Sequence, residues 1–290
     1  MTRPDANQEL EAIAILQTHG RSFYFASHLL SKRHRNRAAR LYAVCRQIDD
    51  LADEAQDPQY AKTQLQALMQ SIEQSQSTDQ VANQAIALCQ DMDIKTPLLE
   101  LISGVASDLE TVRVQNESEL LHYAYQVAGT VGLMMCEALD VHELKAHPFA
   151  IDLGIAMQLT NIARDLAEDA ENNRVYFPAD WIGAMTPEQI LAPNLAQQAQ
   201  LQQATKQLLD LADSYYQRGL YGLPYLPGRA RYGILVAANV YREIGEVIKQ
   251  AGYQAWRFRA KVSFSNKMGC AFRSIGRYAM TKHSNLINNT

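Results

Sequence analysis

Apolar residues recur along this chain with the spacing of α-helices rather than of β-strands. They repeat at intervals of three and four residues through most of the sequence, which is the period of an amphipathic helix. No convincing run of alternating β-branched residues occurs, and Asn-Gly and Asp-Gly hairpin turns are lacking. The pattern predicts helices over residues 7–30, 36–55, 60–75, 81–92, 97–113, 118–139, 148–171, 196–221 and 229–251.

Short helix-breaking stretches separate these segments. They are Asp57-Pro58, the polar residues 74–80, Thr96-Pro97, His147-Pro148 and the run from Pro224 to Gly228. With only 14 Gly and 9 Pro in 290 residues, the composition favours long helices, and no repeat of 20–50 residues is visible. The sequence therefore predicts one all-α domain over residues 1–290, with an ordered core at about 10–280 and a ragged polar tail.

Composition places the chain among ordinary globular proteins. Hydrophobic residues make up 47% and charged residues 20%, and the net charge of −4 does not suggest a nucleic-acid partner. No run of 18 apolar residues predicts a membrane span, and the first twenty residues lack an apolar signal core. The four cysteines are scattered without a CxxC pair, which argues against a zinc site or a disulfide framework. A cytoplasmic location is the simplest expectation.

Positive charge is concentrated in two places. Residues 32–37 form a basic run, and the C-terminal segment carries seven cations: Arg257, Arg259, Lys261, Lys267, Arg273, Arg277 and Lys282. Each cluster has two interpretations, a solvated helix face or contact with phosphates of a substrate or of a lipid surface. The second interpretation adds peripheral membrane contact to the expected properties.

A first polar stripe lies in the predicted helix 36–55. Tyr42, Arg46, Asp49 and Asp53 follow one another at spacings of 4, 3 and 4 residues, so they share one face of a helix. Like charges four residues apart weaken a helix, and a hard divalent cation bound between the two carboxylates would compensate for this. The competing interpretation is an acidic, solvated helix end.

A second polar stripe lies in the predicted helix 148–171. Gln158, Asn161, Asp165 and Asp169 are spaced by 3, 4 and 4 residues within an otherwise apolar sequence. Buried amides and carboxylates cost free energy unless they have partners. Asn161, Asp165 and Asp169 offer three oxygen ligands at helical spacing, a set that suits Mg²⁺.

Two acidic helices with interleaved arginines, Arg46 and Arg164, describe a pocket for a polyanion held through metal ions. Mg²⁺ binds few protein carboxylates and takes substrate phosphates as its other ligands. A bound metal neutralises a leaving phosphate. The pattern therefore indicates ionisation of a diphosphate rather than general acid–base hydrolysis.

Four segments together resemble the squalene and phytoene synthase family, over roughly residues 15–265. They are His19-Gly-Arg-Ser-Phe23, the stripe from Tyr42 to Asp53, the segment Tyr123 to Met135, and Gln158 to Asp169 with Arg174-Val-Tyr-Phe-Pro178. The resemblance implies a single-domain, all-α isoprenoid synthase fold with helices around a deep apolar central cavity.

The resemblance also implies roles for residues. The implied metal ligands are Asp49, Asp53, Asn161, Asp165 and Asp169. The implied diphosphate contacts are Arg21, Ser22, Arg46, Gln158, Asn161, Arg164, Tyr241 and Arg259. The implied catalytic set is Tyr42, Arg46, Asp49, Asp53, Asp165 and Asp169. Glu168 is an alternative to Asp169, and Arg257 is an alternative to Arg259. Gly20 departs from the family, which often carries Ser there.

The activity implied by the resemblance is a Mg²⁺-dependent prenyl transfer, with Mn²⁺ as a substitute and without NADPH. Two geranylgeranyl diphosphates would condense head to head through a cyclopropyl diphosphate to phytoene, the first committed step of carotenoid biosynthesis. Residues 127–135 look most like the phytoene branch. The alternatives are synthesis of dehydrosqualene, presqualene diphosphate or hydroxysqualene from farnesyl diphosphate. A non-catalytic module and a terpene cyclase are less favoured, and downstream carotenoid enzymes are expected partners.

Small and aromatic residues refine this expectation. Ser27, Ala38 and Ala39 are small side chains where the cavity floor is expected, which favours the twenty-carbon substrate. The competing interpretation is close packing between helices. Phe23, Tyr42 and Tyr176 could present aromatic faces to a carbocation, and core packing is again the alternative.

Overall fold

The computed structural model describes residues 6–53, 55 and 57–287, and the described residues form no β-strand. Arg113 and Val175 make one isolated bridge. The α-helices are α1 Ala6–His19, α2 Arg21–Ser27, α3 Lys32–Asp53, α4 Pro58–Gln74, α5 Gln80–Asp91, α6 Lys95–Ser107, α7 Glu117–Ala124, α8 Thr130–Ala138, α9 His147–Arg164, α10 Leu166–Glu171, α11 Ala179–Ile182, α12 Pro187–Leu191, α13 Leu195–Leu220, α14 Gly228–Gln250 and α15 Phe264–Ile287. The all-α fold class is confirmed. Residues 1–5, 54, 56 and 288–290 of the predicted domain lie outside the described residues.

Two of the predicted helices are divided in the structure. The segment 7–30 is broken at Gly20, whose φ of −108° and ψ of 46° lie outside the helical region. A Cβ atom at Gly20 would lie 2.9 Å from both Leu16 and the ring of Tyr42. Glycine therefore lets the α1–α2 junction pack against Tyr42, and the serine common in the family would not fit without a shift. The segment 148–171 is broken at Asp165, with φ −102° and ψ 13°.

The break at Asp165 leaves the second polar stripe intact. The backbone amide of Asp165 donates to the carbonyl of Asn161, and the amide of Asp169 donates to the carbonyl of Asp165, both at 2.8 Å. The hydrogen-bond ladder thus runs through the junction of α9 and α10. Asn161, Asp165 and Asp169 consequently remain neighbours one turn apart, as the spacing predicts.

The predicted helix 118–139 contains a wider turn. Residues Tyr125–Gly129 form a π-helical segment between α7 and α8. Next to it, a Cβ at Gly132 would lie 2.2 Å from the carbonyl oxygen of Ala150, and a Cβ at Gly154 would lie 2.1 Å from that of Ala128. These glycines allow α8 and α9 to approach each other at backbone distance. π-Helical turns occur frequently at functional sites.

Helix α9 is the central element of the bundle, and it packs against α13, α8, α14 and the π-helical segment. One apolar core lies between α9 and α13 and includes Leu159 and Tyr216. A second core lies among α3 to α6 and includes Ile48 and Leu98. Helix α9 belongs to the first core and α3 to the second. Packing in these cores therefore fixes the positions of the two helices that carry the polar stripes.

The C-terminal helix α15 is not predicted by the sequence pattern, which expects a ragged polar tail there. It packs along α14, where Cys270 and Ala271 join Val236 and Val240 in a small apolar cluster. The side chains of Arg277 and Lys282, two of the seven C-terminal cations, lie outside the described residues. Over the described part of the chain, no helix combines the length and apolar character needed to cross a membrane.

Candidate active site

A cavity of about 900 Å³ lies between α2, α3, α8, α9 and α14. Its wall combines apolar residues such as Leu41, Val131 and Met135 with a group of polar side chains. The polar group contains most of the predicted site: Arg21, Ser22, Tyr42, Arg46, Asp49, Gln158, Asn161, Arg164, Tyr241 and Arg259. A large cleft that joins apolar walls to a few polar side chains is typical of a ligand site.

The carboxylates of the first stripe differ in their surroundings. Asp49 is half-buried, and burial, together with the charge of Asp53, raises its pKa to about 7. Asp53 is about half exposed and accepts a hydrogen bond from Arg174 at 2.8 Å. Arg46 pairs with Asp50 at 2.5 Å rather than with Asp49. Asp49 therefore lacks a close positive partner among the described residues, although Arg46 lowers its pKa from a distance.

The second stripe also contains one carboxylate with hydrogen-bonded cations and one whose side chain has none among the described residues. Asp165 accepts hydrogen bonds from Arg164 at 2.8 and 2.5 Å and from Arg259 at 2.9 Å. Asp169 is mostly buried, and burial and the neighbouring charge of Asp165 raise its pKa to about 8. Each acidic stripe thus contributes one carboxylate, Asp49 or Asp169, whose ionised form is poorly compensated.

The amides of the second stripe connect it to α14 and α2. Asn161 donates to the side-chain oxygen of Gln158 at 3.1 Å and accepts from the hydroxyl of Tyr241 at 3.0 Å. Phe23 stacks on Tyr241, with ring centroids 5.0 Å apart, and lies 6.2 Å from Tyr42. Burial raises the pKa of Tyr42 to about 12, so this phenol stays protonated. Phe23, Tyr42 and Tyr241 all line the cavity.

The geometry distinguishes between the alternatives that the sequence leaves open. Glu168 is half exposed and pairs with Arg259 at 2.9 Å, whereas Asp169 is turned inward and mostly buried. Arg257 is exposed and donates to Gln198 at 3.3 Å. Arg259 lines the cavity and bridges Asp165 and Glu168. These contacts favour Asp169 as the inward carboxylate and Arg259 as the inward cation.

Two sequence-based expectations about small and aromatic residues are wrong. Ser27 and Ala38 line the cavity as expected, but Ala39 is fully buried in a cluster with Leu16 on the other side of α3. Ala39 therefore serves the packing of α1 on α3. Tyr176 belongs to the α9–α13 core, where its ring stacks on Tyr123 with centroids 4.7 Å apart, so it presents no face to the cavity.

Asp108 is the residue that sequence reasoning missed. It follows α6, and its two oxygens accept hydrogen bonds from the hydroxyls of Tyr123 and Tyr176, each at 2.8 Å. Burial raises its pKa to about 6, against the effect of these hydrogen bonds and of Arg174. Asp108 has no acidic neighbour at helical spacing in the sequence. No periodicity could therefore single it out.

The residues present fit a divalent metal that shares its coordination with a substrate. In the ranges 6–53, 55 and 57–287, no three His, Cys, Asp or Glu side chains converge closely enough to hold an ion by themselves. Mg²⁺ usually keeps only one or two carboxylate ligands and takes phosphate oxygens and waters as the others. Burial and a neighbouring carboxylate raise the pKa of Asp49 and of Asp169, so negative charge at these two positions is only partly compensated. An oxygen donor set with this deficit suits a hard cation.

The site also fits a diphosphate. Nε of Arg46 is buried and meets no acceptor among the described residues, although it lies in the cavity wall. Buried donors in native proteins are normally satisfied, and a change in the Arg46 rotamer on binding an anionic ligand would bring this one to an acceptor. Arg21 and Lys267 add positive charge to the same wall. An all-α bundle with an apolar cavity, two acidic stripes and cationic side chains defines the class of enzymes that process prenyl diphosphates.

The family model described as squalene/phytoene synthase matches residues 16–266, and the chain belongs to that family. The family expected from the sequence is thus confirmed. Its members are prenyltransferases that generally use a divalent metal.

Individual relatives agree with this assignment. A 15-cis-phytoene synthase from Enterobacter agglomerans is 34% identical over 277 residues, covering 90% of this chain and 93% of the relative. A 15-cis-phytoene synthase from Pantoea ananas is 32% identical over 281 residues, covering 92% of this chain and 90% of the relative. The structure of a dehydrosqualene synthase in complex with a ligand superposes with a TM-score of 0.84 at 26% identity, covering 94% of this chain and 97% of the other. A squalene synthase from Alicyclobacillus acidocaldarius shares the fold, with a TM-score of 0.72 at 18% identity and coverage of 85% and 95%.

Proposed function

We propose that this enzyme condenses two geranylgeranyl diphosphates head to head, through a cyclopropyl diphosphate, to phytoene. The observation that carries the choice of product is the similarity to phytoene synthases over about nine tenths of both chains. The cavity supports it, since a long apolar chain needs a wall of the kind that Leu41, Val131 and Met135 provide.

We assign roles to the residues of the site on the same basis. Asp49, Asp53, Asn161, Asp165 and Asp169 would hold Mg²⁺, with Mn²⁺ as a substitute. When bound, the metal neutralises charge on the leaving diphosphate. The diphosphate contacts are Arg21, Ser22, Arg46, Gln158, Arg164, Tyr241 and Arg259. Bidentate arginines suit this task, because a guanidinium matches two phosphate oxygens at once.

The aromatic residues beside the diphosphate site serve the carbocation. Phe23, Tyr42 and Tyr241 line the same cavity wall as the proposed diphosphate contacts. The allylic cation that forms when the diphosphate leaves would therefore face aromatic rings. A desolvated cation over such a ring gains about 2 kcal/mol. The apolar wall also keeps water from quenching the cation. No hydride donor is required, because phytoene forms by loss of a proton.

Synthesis of dehydrosqualene from farnesyl diphosphate is the second candidate, and the high structural similarity to a dehydrosqualene synthase favours it. Equal concentrations of farnesyl and geranylgeranyl diphosphate, supplied together with Mg²⁺ to the purified protein, separate the two candidates. A predominantly forty-carbon product supports phytoene synthesis. A predominantly thirty-carbon product would contradict the choice of substrate but not the assigned site.

We propose that the whole chain acts as one domain. Segments as distant as α2, α9 and the residues after α14 line one cavity, so no part of the chain contains the site alone. Cutting the protein between α6 and α7 should therefore abolish activity in both fragments. Activity in either isolated fragment would contradict a single functional domain.

We also propose peripheral contact with an anionic membrane on the cytoplasmic side. From Arg257 to the end, the sequence contains no acidic residue. In this segment Phe264 and Phe272 are about 70% exposed, and Lys261 and Lys267 line the cavity. Cations attract anionic lipid, and exposed aromatic rings bury apolar surface in the interface. A bilayer at this place would also receive a hydrocarbon product that water cannot dissolve.

Vesicle flotation tests the membrane contact. Wild-type protein should float with vesicles containing anionic lipid, and the double variant Phe264→Ser with Phe272→Ser should float markedly less. Leu195→Ser is the matched control, since Leu195 is 86% exposed at the start of α13. Equal flotation of wild type and double variant would contradict the assigned surface. Contact with downstream carotenoid enzymes stays a prediction.

A further inference from the structure

Arg174 lies between the two acidic stripes. Its Nη1 donates to Asp53 at the end of α3 at 2.8 Å, and its backbone amide donates to the carbonyl oxygen of Asp169 in α10 at 2.8 Å. The side chain is only 17% exposed, whereas that of Asp53 is 48% exposed. A charged side chain this deep is normally retained for a specific pairing.

A third carboxylate completes the surroundings of this guanidinium. Asp108 and Asp169 both lie close enough to Arg174 to interact with its charge. Asp108 is fixed by Tyr176, which lies two residues after Arg174 in the chain. The acids facing Arg174 thus come from three separate elements: α3, the end of α6, and α10.

The backbone fixes the position of Arg174. The amide of Val175 donates to the carbonyl of Val112 at 3.1 Å, and the amide of Val114 donates to the carbonyl of Val175 at 3.2 Å. This bridge anchors the chain immediately after Arg174. The guanidinium therefore projects from a held segment rather than from a free loop.

The other arginines of the site pair differently. Arg46 binds Asp50 within α3, and Arg164 binds the adjacent Asp165. Arg259 binds Asp165 of the second stripe and Glu168 in α10. Within the described part of the chain, Arg174 is the arginine whose side chain pairs with the first stripe while its backbone amide donates to Asp169 of the second.

We propose that Arg174 is a positioning residue that acts as a resident counter-cation for the two acidic stripes. Its guanidinium holds Asp53 of the first stripe and its backbone is bonded to Asp169 of the second, so its charge competes with a divalent metal for these carboxylates. Arrival of a diphosphate supplies the negative charge that allows the guanidinium and the metal to be accommodated together. Metal binding is thereby coupled to diphosphate binding. The inference rests on the metal site of the proposed function.

Calorimetric titration of Mg²⁺ into the metal-free protein tests this coupling, with and without inorganic diphosphate. Arg174→Gln should bind Mg²⁺ alone about fivefold or more tightly than wild type, the lower end of typical coupling between sites. The factor by which diphosphate increases the Mg²⁺ affinity should be smaller for Arg174→Gln than for wild type. Arg174→Lys keeps the charge and should resemble wild type. Lys206→Gln removes the same charge from an exposed ion pair with Asp210 and should change nothing.

The outcomes separate the inference from the proposed function. Equal or weaker Mg²⁺ binding by Arg174→Gln, with its circular dichroism unchanged, would overturn the role of Arg174 while the metal site stands. Should Arg174→Gln fail to fold, Arg174→Lys carries the test: tighter Mg²⁺ binding by this variant would overturn the charge-based account. A wild-type protein that binds no Mg²⁺ even with diphosphate would overturn both.

Discussion

The hydroxyl of Tyr241 donates a hydrogen bond to Oδ1 of Asn161 across a distance of 3.0 Å, which joins α14 to the second acidic stripe. The side-chain nitrogen of Asn161 donates to the side-chain oxygen of Gln158, so hydrogen bonds orient the Asn161 amide at both its oxygen and its nitrogen. The oxygen that Tyr241 holds is the one that Asn161 would offer to a metal. The same tyrosine ring is stacked on Phe23, so its position is set by packing as well as by the hydrogen bond.

Tyr241→Phe should therefore lower kcat/KM while lowering the free energy of unfolding only slightly. The ring and its stacking remain, and the loss of one hydrogen bond costs about 1 kcal/mol of folding free energy. The amide of Asn161 loses one of its two orienting hydrogen bonds, and the proposed contact of Tyr241 with the diphosphate is removed. Kinetics and urea unfolding measured on the same preparation check this. Unchanged kcat/KM would show that the hydroxyl serves folding alone.

Asp49→Asn and Asp165→Asn should each abolish activity while leaving the fold intact, because each removes a carboxylate from one stripe. Circular dichroism and turnover measured together test both variants. Asp210→Asn, which alters an exposed carboxylate on α13, is the control and should keep full activity. Near-normal turnover in either site variant would remove the argument for a metal.

Asp49→Asn should also stabilise the metal-free protein at alkaline pH. The folded state raises the pKa of Asp49 to about 7, above its value in the unfolded chain. At pH values between the unfolded and the folded pKa of Asp49, the folded state binds the proton more tightly than the unfolded state does. The contribution of Asp49 to the free energy of unfolding therefore falls as the pH rises towards 7 and stays low above it. Asparagine removes this penalty. Urea unfolding with a chelator at pH 5 and pH 8 should show a smaller difference between the two pH values for the variant than for wild type.

Ser27→Phe should shift substrate preference from geranylgeranyl towards farnesyl diphosphate. Ser27 is buried in the cavity wall, so a phenyl ring there would occupy space that the longer chain needs. Ala39→Trp, on the opposite side of α3, should instead overpack the α1–α3 contact, at a cost of roughly 1–3 kcal/mol, without changing the preference. Competition between the two substrates, with melting temperature as a second readout, distinguishes the variants. An unchanged preference in Ser27→Phe would assign Ser27 to packing alone.

The parts of this site that follow from helical periodicity could be predicted from the sequence. Asn161, Asp165 and Asp169 repeat at one-turn spacing, and packing alone does not account for such a polar stripe in an apolar helix. The position of Ala39 could not be predicted in the same way. Ala38 and Ala39 are adjacent small residues, and their order alone does not show which one faces the cavity.

Contacts between distant segments have no local pattern. Asp108 meets Tyr176 from 68 positions away, and Arg174 meets Asp53 from 121 positions away. The C-terminal helix escaped prediction for a related reason. Its polar and basic sequence resembles a solvated tail, and its packing face becomes apparent only beside α14.

The proposed reaction is the head-to-head condensation of twenty-carbon units without a hydride donor. Purified protein should be incubated with geranylgeranyl diphosphate and Mg²⁺, in the presence and absence of NADPH, and the hydrocarbon product analysed by mass. The expected product is a forty-carbon hydrocarbon with a central conjugated triene, formed equally well without NADPH. A product whose mass rises by two hydrogens when NADPH is added, or no forty-carbon product at all, would contradict it.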